Sequence, residues 1–410
     1  MRKLPCIALA SAFGLLSAVS SAVPVAAQEA RPACVGAEGY SAAFDGRRTF
    51  LWHPDALEHL KAGKDSDPRI KTAYEDLIAR ADEAMTHMLY TVVDKRTIPY
   101  SGDRHDYMST VANWFADPKK PGGPYIRGQG SNPERFSDKY DIMDLENMSA
   151  DVETLALAYY FSENPRYATR AASLVRTWFL TPASRMNPNM EFAQTVIGRE
   201  KGRPDGVLET ARIQRVIEGV GLIAPSGKLT ADETRALEQW FSDYVDWMRT
   251  SKHGKGASVA KGYNSLWYDA QLAHFALFAR RADVAKATVE AFPAARFPDQ
   301  FSPEGQMPLE IGRPRSLYFS IYALSAAYNV AEIGQCVGVD LWDVEQDGRS
   351  LKRATDFLNK YRGKLDSWPY PETNKGAAEL NILLNRANRH WGTAYGVSPR
   401  ARLVAYMKAR

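Results

Sequence analysis

The chain has 410 residues, 45% of them apolar and 24% charged, with a formal net charge of +4. That balance belongs to a soluble globular protein of one large domain or two ordinary ones, and excludes a disordered chain. So small a charge gives no support to nucleic-acid binding, although it permits a local basic cleft for an acidic ligand.

The N-terminus has the pattern of a secretory signal peptide. Arg2 and Lys3 form a positive start, Cys6 to Val23 an apolar run diluted by Ala and Ser, and Val25-Ala26-Ala27 a small-residue cleavage site. Pro24 ends the run, which argues against a membrane anchor, and Cys6 precedes the run, which argues against lipidation at a cleavage site. The expectation is a signal peptide over residues 1–27, an extension over 28–54, one domain over 55–410, and export to the periplasm or beyond the cell. Export leaves Cys34 and Cys336 as the cysteines of the mature chain. A disulfide between them and two separate thiols are both open, because sequence does not give the distance.

Helical periodicity begins near Asp55 and runs to Tyr90. Thr97 to Tyr140 breaks it with a stretch rich in Gly, Pro, Asp and aromatics, too long for a plain connection and too aromatic for a disordered one. A lid is one role open to it. From Asp144 onward helices dominate. The segments "DVETLALAYYF" and "RYATRAASLVRTWFL" carry helical spacing, Thr230 with Glu233 forms a capping box, and helices follow at Trp267 to Arg280, Ser316 to Ile333 and Leu351 to Tyr361. Short polar connections suggest antiparallel hairpins, and no fixed-period repeat supports a regular solenoid. The fold class expected is all-α, an incomplete α/α toroid whose long loops form a cleft.

Three stretches concentrate chemistry. In "GRPRSLYF", Arg313 and Arg315 suit a carboxylate, and Tyr318 lies one helical turn beyond Arg315, where cations would stabilise a phenolate. In "RMNPNMEFAQ", Arg185, Asn187, Asn189 and Gln194 suit sugar hydroxyls or a carboxylate, although Asn is also common in turns for backbone reasons. In "KGYNSLWYDAQ", Trp267 and Tyr268 suit stacking on a sugar, Asn264 a carboxylate, and Tyr263 proton transfer; burial of the aromatics in a core is the plain alternative. The seven histidines show no metal-ligand spacing, and no Ser sits in a G-x-S-x-G elbow.

These stretches, together with "TWFLTPASRMNPN", "GRPDGVLETARIQRVIEG" and "QMPLEIGRPRSLYFSIYAL", make the chain resemble the alginate lyase domain family of polysaccharide lyases from about Tyr107 to Trp342. The resemblance implies an α/α toroid that cleaves uronic-acid polymers such as mannuronan or glucuronan by β-elimination, with no metal or organic cofactor. Its partner would be an acidic polysaccharide or oligosaccharide. Arg313, Arg315, Asn187, Asn189, Gln194, Trp267 and Tyr268 match the family pattern. Two positions depart from it. Tyr263-Asn264 stands where the pattern has Asn-His, and Phe319 stands where it has its catalytic Tyr, with Tyr318 one place earlier. Phe cannot exchange a proton, so the substrate-binding half reads as retained and the proton-transfer half as rewritten. Three readings follow, in order of preference. The first is a lyase using Tyr263 or Tyr318, with Asn264 and Arg313 on the carboxylate. The second is a hydrolase using two of Asp205, Glu209, Asp269 and Glu310. The third is a non-catalytic binder of acidic glycans.

Overall fold

The computed structural model describes residues 31–373, 377–392 and 395–396; the segment expected to be a signal peptide lies outside them. The helices are α1 (Pro54–Gly63), α2 (Pro68–Ala84), α3 (Ile142–Ser162), α4 (Pro165–Val175), α5 (Gln214–Ile223), α6 (Ala231–Thr250), α7 (Lys252–Ser258), α8 (Tyr263–Phe278), α9 (Ala282–Gln300), α10 (Pro308–Ile311), α11 (Ser316–Cys336), α12 (Leu351–Asn359) and α13 (Ala377–Trp391). Local chemistry sets many starts. Asp67 and Asn164 cap α2 and α4 ahead of a proline at the first helical position, Ser350 caps α12, and Thr230 with Glu233 forms the capping box of α6.

The helices sort by how they are buried. In α3, α8 and α11 apolar residues occupy nearly every face, and almost the whole length is buried. Such helices belong inside a large protein, whereas α2, α4 and α12 keep a polar face outward. α3 packs on α5, α5 on α8, α8 on α11 and α11 on α13, forming an inner ring; α2, α4, α6, α9 and α12 pack outside it. This is the all-α toroid the sequence predicts.

Residues 34–53, expected to be an extension, are part of the same core: Tyr40, Phe44 and Phe50 are buried among the inner helices. A disulfide joins Cys34 to Cys336, the last residue of α11, with the Cα atoms 4.5 Å apart. No helix among the described residues is long and apolar enough to cross a membrane.

The long stretch Thr97–Tyr140 is ordered and carries three short strands, β1 (Met108–Thr110), β2 (Trp114–Phe115) and β3 (Ile126–Arg127). β1 pairs in parallel with β4 (Phe192–Thr195), and β2 pairs antiparallel with β3. Buried anchors hold this layer to the toroid. Tyr107, Ser109 and Arg135 donate to Glu209 at 2.9, 2.6 and 2.5 Å. Lys95 lies 3.2 Å from Asp141, whose carboxylate also accepts the Met108 N–H at 2.7 Å.

Candidate active site

The inner ring encloses a cavity of about 350 Å³. Its walls come from the first two turns of the inner helices: Glu146 of α3, Arg212 and Arg215 around the start of α5, Trp267 of α8, and Tyr318 and Tyr322 of α11. All six side chains are half-buried. Further in stand Glu153, Gln214, Glu218, Asn329, Glu332 and Arg386, each buried, with Leu51 and Trp52 closing one side. Arg212 and Arg215 stand in this wall, so this end of the ring suits an anionic ligand.

Tyr322 sits at the centre of an aromatic group. Its ring is 4.8 Å from Trp267, 5.4 Å from Tyr263 and 6.0 Å from Tyr318, centroid to centroid. Burial raises its pKa, and Arg212 and Arg215 act against that rise. Tyr318 has the Arg315 guanidinium 4.0 Å above its ring. Glu146 bridges the two arginines of the wall, accepting from Arg212 Nε and, at 3.0 Å, from Arg215 Nη1. Burial pushes the Glu146 carboxyl up, but the two arginines outweigh it and hold it below the usual value. The arginine pair therefore already holds one carboxylate.

Of the residues expected from sequence, Trp267 and Tyr318 line this cavity. Tyr263 stands behind Tyr322, stacked on Phe319 at 5.3 Å, with Arg313 lying 4.7 Å over its ring and 4.1 Å over Phe319. Burial raises the Tyr263 pKa, against Arg313. Arg313 is further tied to Glu310 at 3.2 Å. Gly262 starts α8 with φ of 69°, and a Cβ there would meet Glu310 Oε1 at 2.6 Å, so this glycine lets Glu310 reach the Tyr263 N–H.

The other expected residues do not line this cavity. Tyr268 faces away from the cavity and is 5% exposed, its hydroxyl donating to the Met248 carbonyl at 3.0 Å; it is core, because α8 is inner on both faces. Asn264 donates to Asp205 at 3.2 Å, in a separate small pocket shared with Tyr268 and Gln271. Asn187 donates to Asp103 and Asp106 at 3.0 and 2.9 Å, and Asn189 to Asp106 at 2.9 Å, so both amides fix the long loop. Gln194 adopts φ of 53°, with its N–H on Ser109 Oγ at 2.8 Å and its amide 3.3 Å from the Asp205 carbonyl. Arg185 is exposed, and its carbonyl is 2.6 Å from His105 Nδ1.

The carboxylates weighed for hydrolysis are engaged as well. Asp269 takes both arms of Arg296 at 2.6 and 2.9 Å, Glu209 anchors the strand layer, and Glu310 and Asp205 hold Arg313 and Arg203. Asp340, Asp343 and His390 come together at the surface, but none lines the cavity, and Asp343 already accepts from Trp391 at 2.8 Å. Sequence reasoning missed Arg212, Arg215 and Tyr322. A signal was present: Tyr318 and Tyr322 are four residues apart on one helix, and Arg212 and Arg215 three apart, so each pair shares a face.

The alginate lyase family profile matches residues 91–368. Among solved structures, the chain is similar to an alginate lyase from Bacteroides ovatus, with 32% identity and a TM-score of 0.79 over 88% of this chain and 95% of that one. It shares its fold with alginate lyase A1-III from Sphingomonas species A1, at 14% identity and a TM-score of 0.51 over 80% of this chain and 94% of that one. A variant of the latter in complex with a tetrasaccharide gives 15% and 0.52 over 85% and 94%. No curated protein sequence matches. With the match covering most of the chain, the protein belongs to the alginate lyase family and is a polysaccharide lyase.

Proposed function

We propose that the enzyme is exported and cleaves an alginate-like uronic-acid polymer by β-elimination, with Tyr322 as the proton-transferring phenol. The observation that carries this reading is one cavity holding Tyr318 and Tyr322 together with Arg212 and Arg215. The substrate carboxylate replaces Glu146 as a partner of the arginine pair, whose hydrogen bonds strengthen as charge builds toward the carbanion. The phenolate takes the C5 proton, the C5 electron pair forms the C4–C5 double bond, and the C4–O bond breaks. A phenol then protonates the leaving oxygen, which Tyr322 itself can do where proton and leaving group lie on one side of the ring. Trp267 supplies an apolar face for the sugar. Family membership and the oligosaccharide bound by the A1-III variant support the choice of substrate class.

Hydrolysis loses its basis. Glu146 and Glu332 are held by arginines, Glu218 by three backbone N–H groups and His274, and the carboxylates considered earlier are spent on structure.

The pH dependence tests the assignment. A phenol whose pKa is raised by burial is protonated at neutral pH, so the active phenolate becomes more abundant as pH rises. On polymannuronate or polyglucuronate, kcat/KM is expected to climb between about pH 6 and pH 9, approaching tenfold per unit on a single ascending limb. A rate that is flat over this range, or falls, would remove the phenol from the role of base.

A further inference from the structure

We propose that Glu146 is a specificity-determining residue, an internal competitor that occupies the place of the substrate carboxylate. It keeps single carboxylates out and gives way to a uronate held by further contacts. This rests on placing the substrate carboxylate on Arg212 and Arg215, and adds what guards that place before substrate arrives.

Two acids of one helix meet the arginine pair. Glu146 and Glu153 lie seven residues apart on α3, two turns along one face, while Arg212 and Arg215 stand around the start of α5. The two acids are held differently. Glu153 is the inner one, its side chain 10% exposed and 3.9 Å from Arg215 Nε. Glu146 is the outer one, its side chain 31% exposed, accepting from Arg212 Nε and, at 3.0 Å, from Arg215 Nη1. Among the described residues no other group donates to the Glu146 carboxylate. Burial pushes this carboxyl up and the arginines outweigh it, so the competitor stays charged at neutral pH.

Each arginine keeps a partner that does not depend on Glu146. Arg212 donates through Nη1 to the Glu209 carbonyl at 3.2 Å, and Arg215 faces Glu153. Glu146 can therefore turn out to water without releasing the pair. What it leaves is two guanidinium groups aimed at one carboxylate position.

Charge explains why Glu146 must move first. Arg212 and Arg215 are balanced by Glu146 and Glu153, so these four groups carry no net charge. A third carboxylate gains no net attraction from them and meets Glu146 at close range. Once Glu146 turns away, the incoming carboxylate takes over both hydrogen bonds, and one ion pair has been exchanged for another. The state with Glu146 displaced is the minor one, and the affinity of every ligand is reduced by its fraction. A ligand with only a carboxylate to offer stays weak. A uronate within a polymer also lays its ring on Trp267 and is held through its neighbouring sugars, which offsets the cost.

The test compares Glu146→Gln and Glu146→Ala with the wild type. Calorimetric titration with sodium glucuronate reads binding, and glucose serves as the sugar without a carboxylate. Ultraviolet absorbance on polymannuronate or polyglucuronate reads turnover, and circular dichroism reads folding. Both variants are expected to bind glucuronate at least about fivefold more tightly, with glucose unchanged. KM on the polymer is expected to fall by about the same factor, the change lying in KM rather than kcat, as for uniform binding. A side chain that merely positions the arginines gives the opposite sign. Unchanged or weaker glucuronate binding, or loss of the fold in both variants, would overturn the competitor and leave the elimination standing. The double variant Arg212→Ala, Arg215→Ala separates the two claims. If it keeps the wild-type kcat and KM, the substrate carboxylate lies elsewhere, and the placement and the competitor fall together.

Discussion

Replacing Tyr322 with Phe lowers kcat by about 10²–10⁴-fold with little change in KM, the range expected for loss of a positioned acid or base. The substitution keeps the ring that packs between Trp267, Tyr263 and Tyr318 and removes only the hydroxyl. The Tyr263→Phe variant is the control. That ring is stacked on Phe319 under Arg313, outside the residues that line the cavity, and its loss of a hydroxyl is expected to cost less than about tenfold. The opposite ranking, with Tyr263→Phe inactive and Tyr322→Phe near wild type, would move proton transfer to the rim. Steady-state rates for both variants, with circular dichroism to confirm folding, settle the order.

The second large effect is on stability. Glu218 is 2% exposed and accepts from Phe50, Leu51 and Trp52 N–H groups and from His274 Nε2 at 2.9 Å. Removing this carboxylate leaves buried donors without an acceptor, and each such loss costs about 1–3 kcal/mol. Glu218→Ala is therefore expected to destabilise by about 3–5 kcal/mol, within the range seen when one member of a buried charged network is deleted. Glu218→Gln keeps the shape and one acceptor oxygen and should fall between the two. Urea unfolding followed by tryptophan fluorescence measures this. A cost below about 1 kcal/mol for the alanine variant would show that the 50–52 backbone is held by other contacts.

The helices were legible because their causes are local. The Thr230–Glu233 capping box and the apolar spacing of α3 and α11 are written in a few consecutive residues. The extension was misjudged for the converse reason. Residues 34–53 form no long helix, so they carry no periodic signal, and their place in the core depends on partners such as Glu218 and Phe278 that lie far along the chain. The same distinction governs the site. The stretch "KGYNSLWYDAQ" has the right residue types, but α8 is an inner helix, so its opposite faces serve different purposes: Trp267 reaches the cavity, and Tyr268 is spent on the Met248 carbonyl. Asn187 and Asn189 look like sugar ligands in sequence, and Asp106 claims them in the fold. Arg212, Arg215 and Tyr322 gain meaning only when α5 and α11 are brought around one cavity.

The central claim is that cleavage proceeds by elimination at a uronate within the Tyr322–Arg212–Arg215 cavity. The most direct measurement counts new reducing ends and ultraviolet-absorbing unsaturated uronates together during digestion of polymannuronate or polyglucuronate. Elimination predicts one unsaturated uronate for every new reducing end throughout the reaction, with both signals lost together in Tyr322→Phe. Reducing ends that accumulate without unsaturation, or equal signals in the Tyr322→Phe variant, would contradict it.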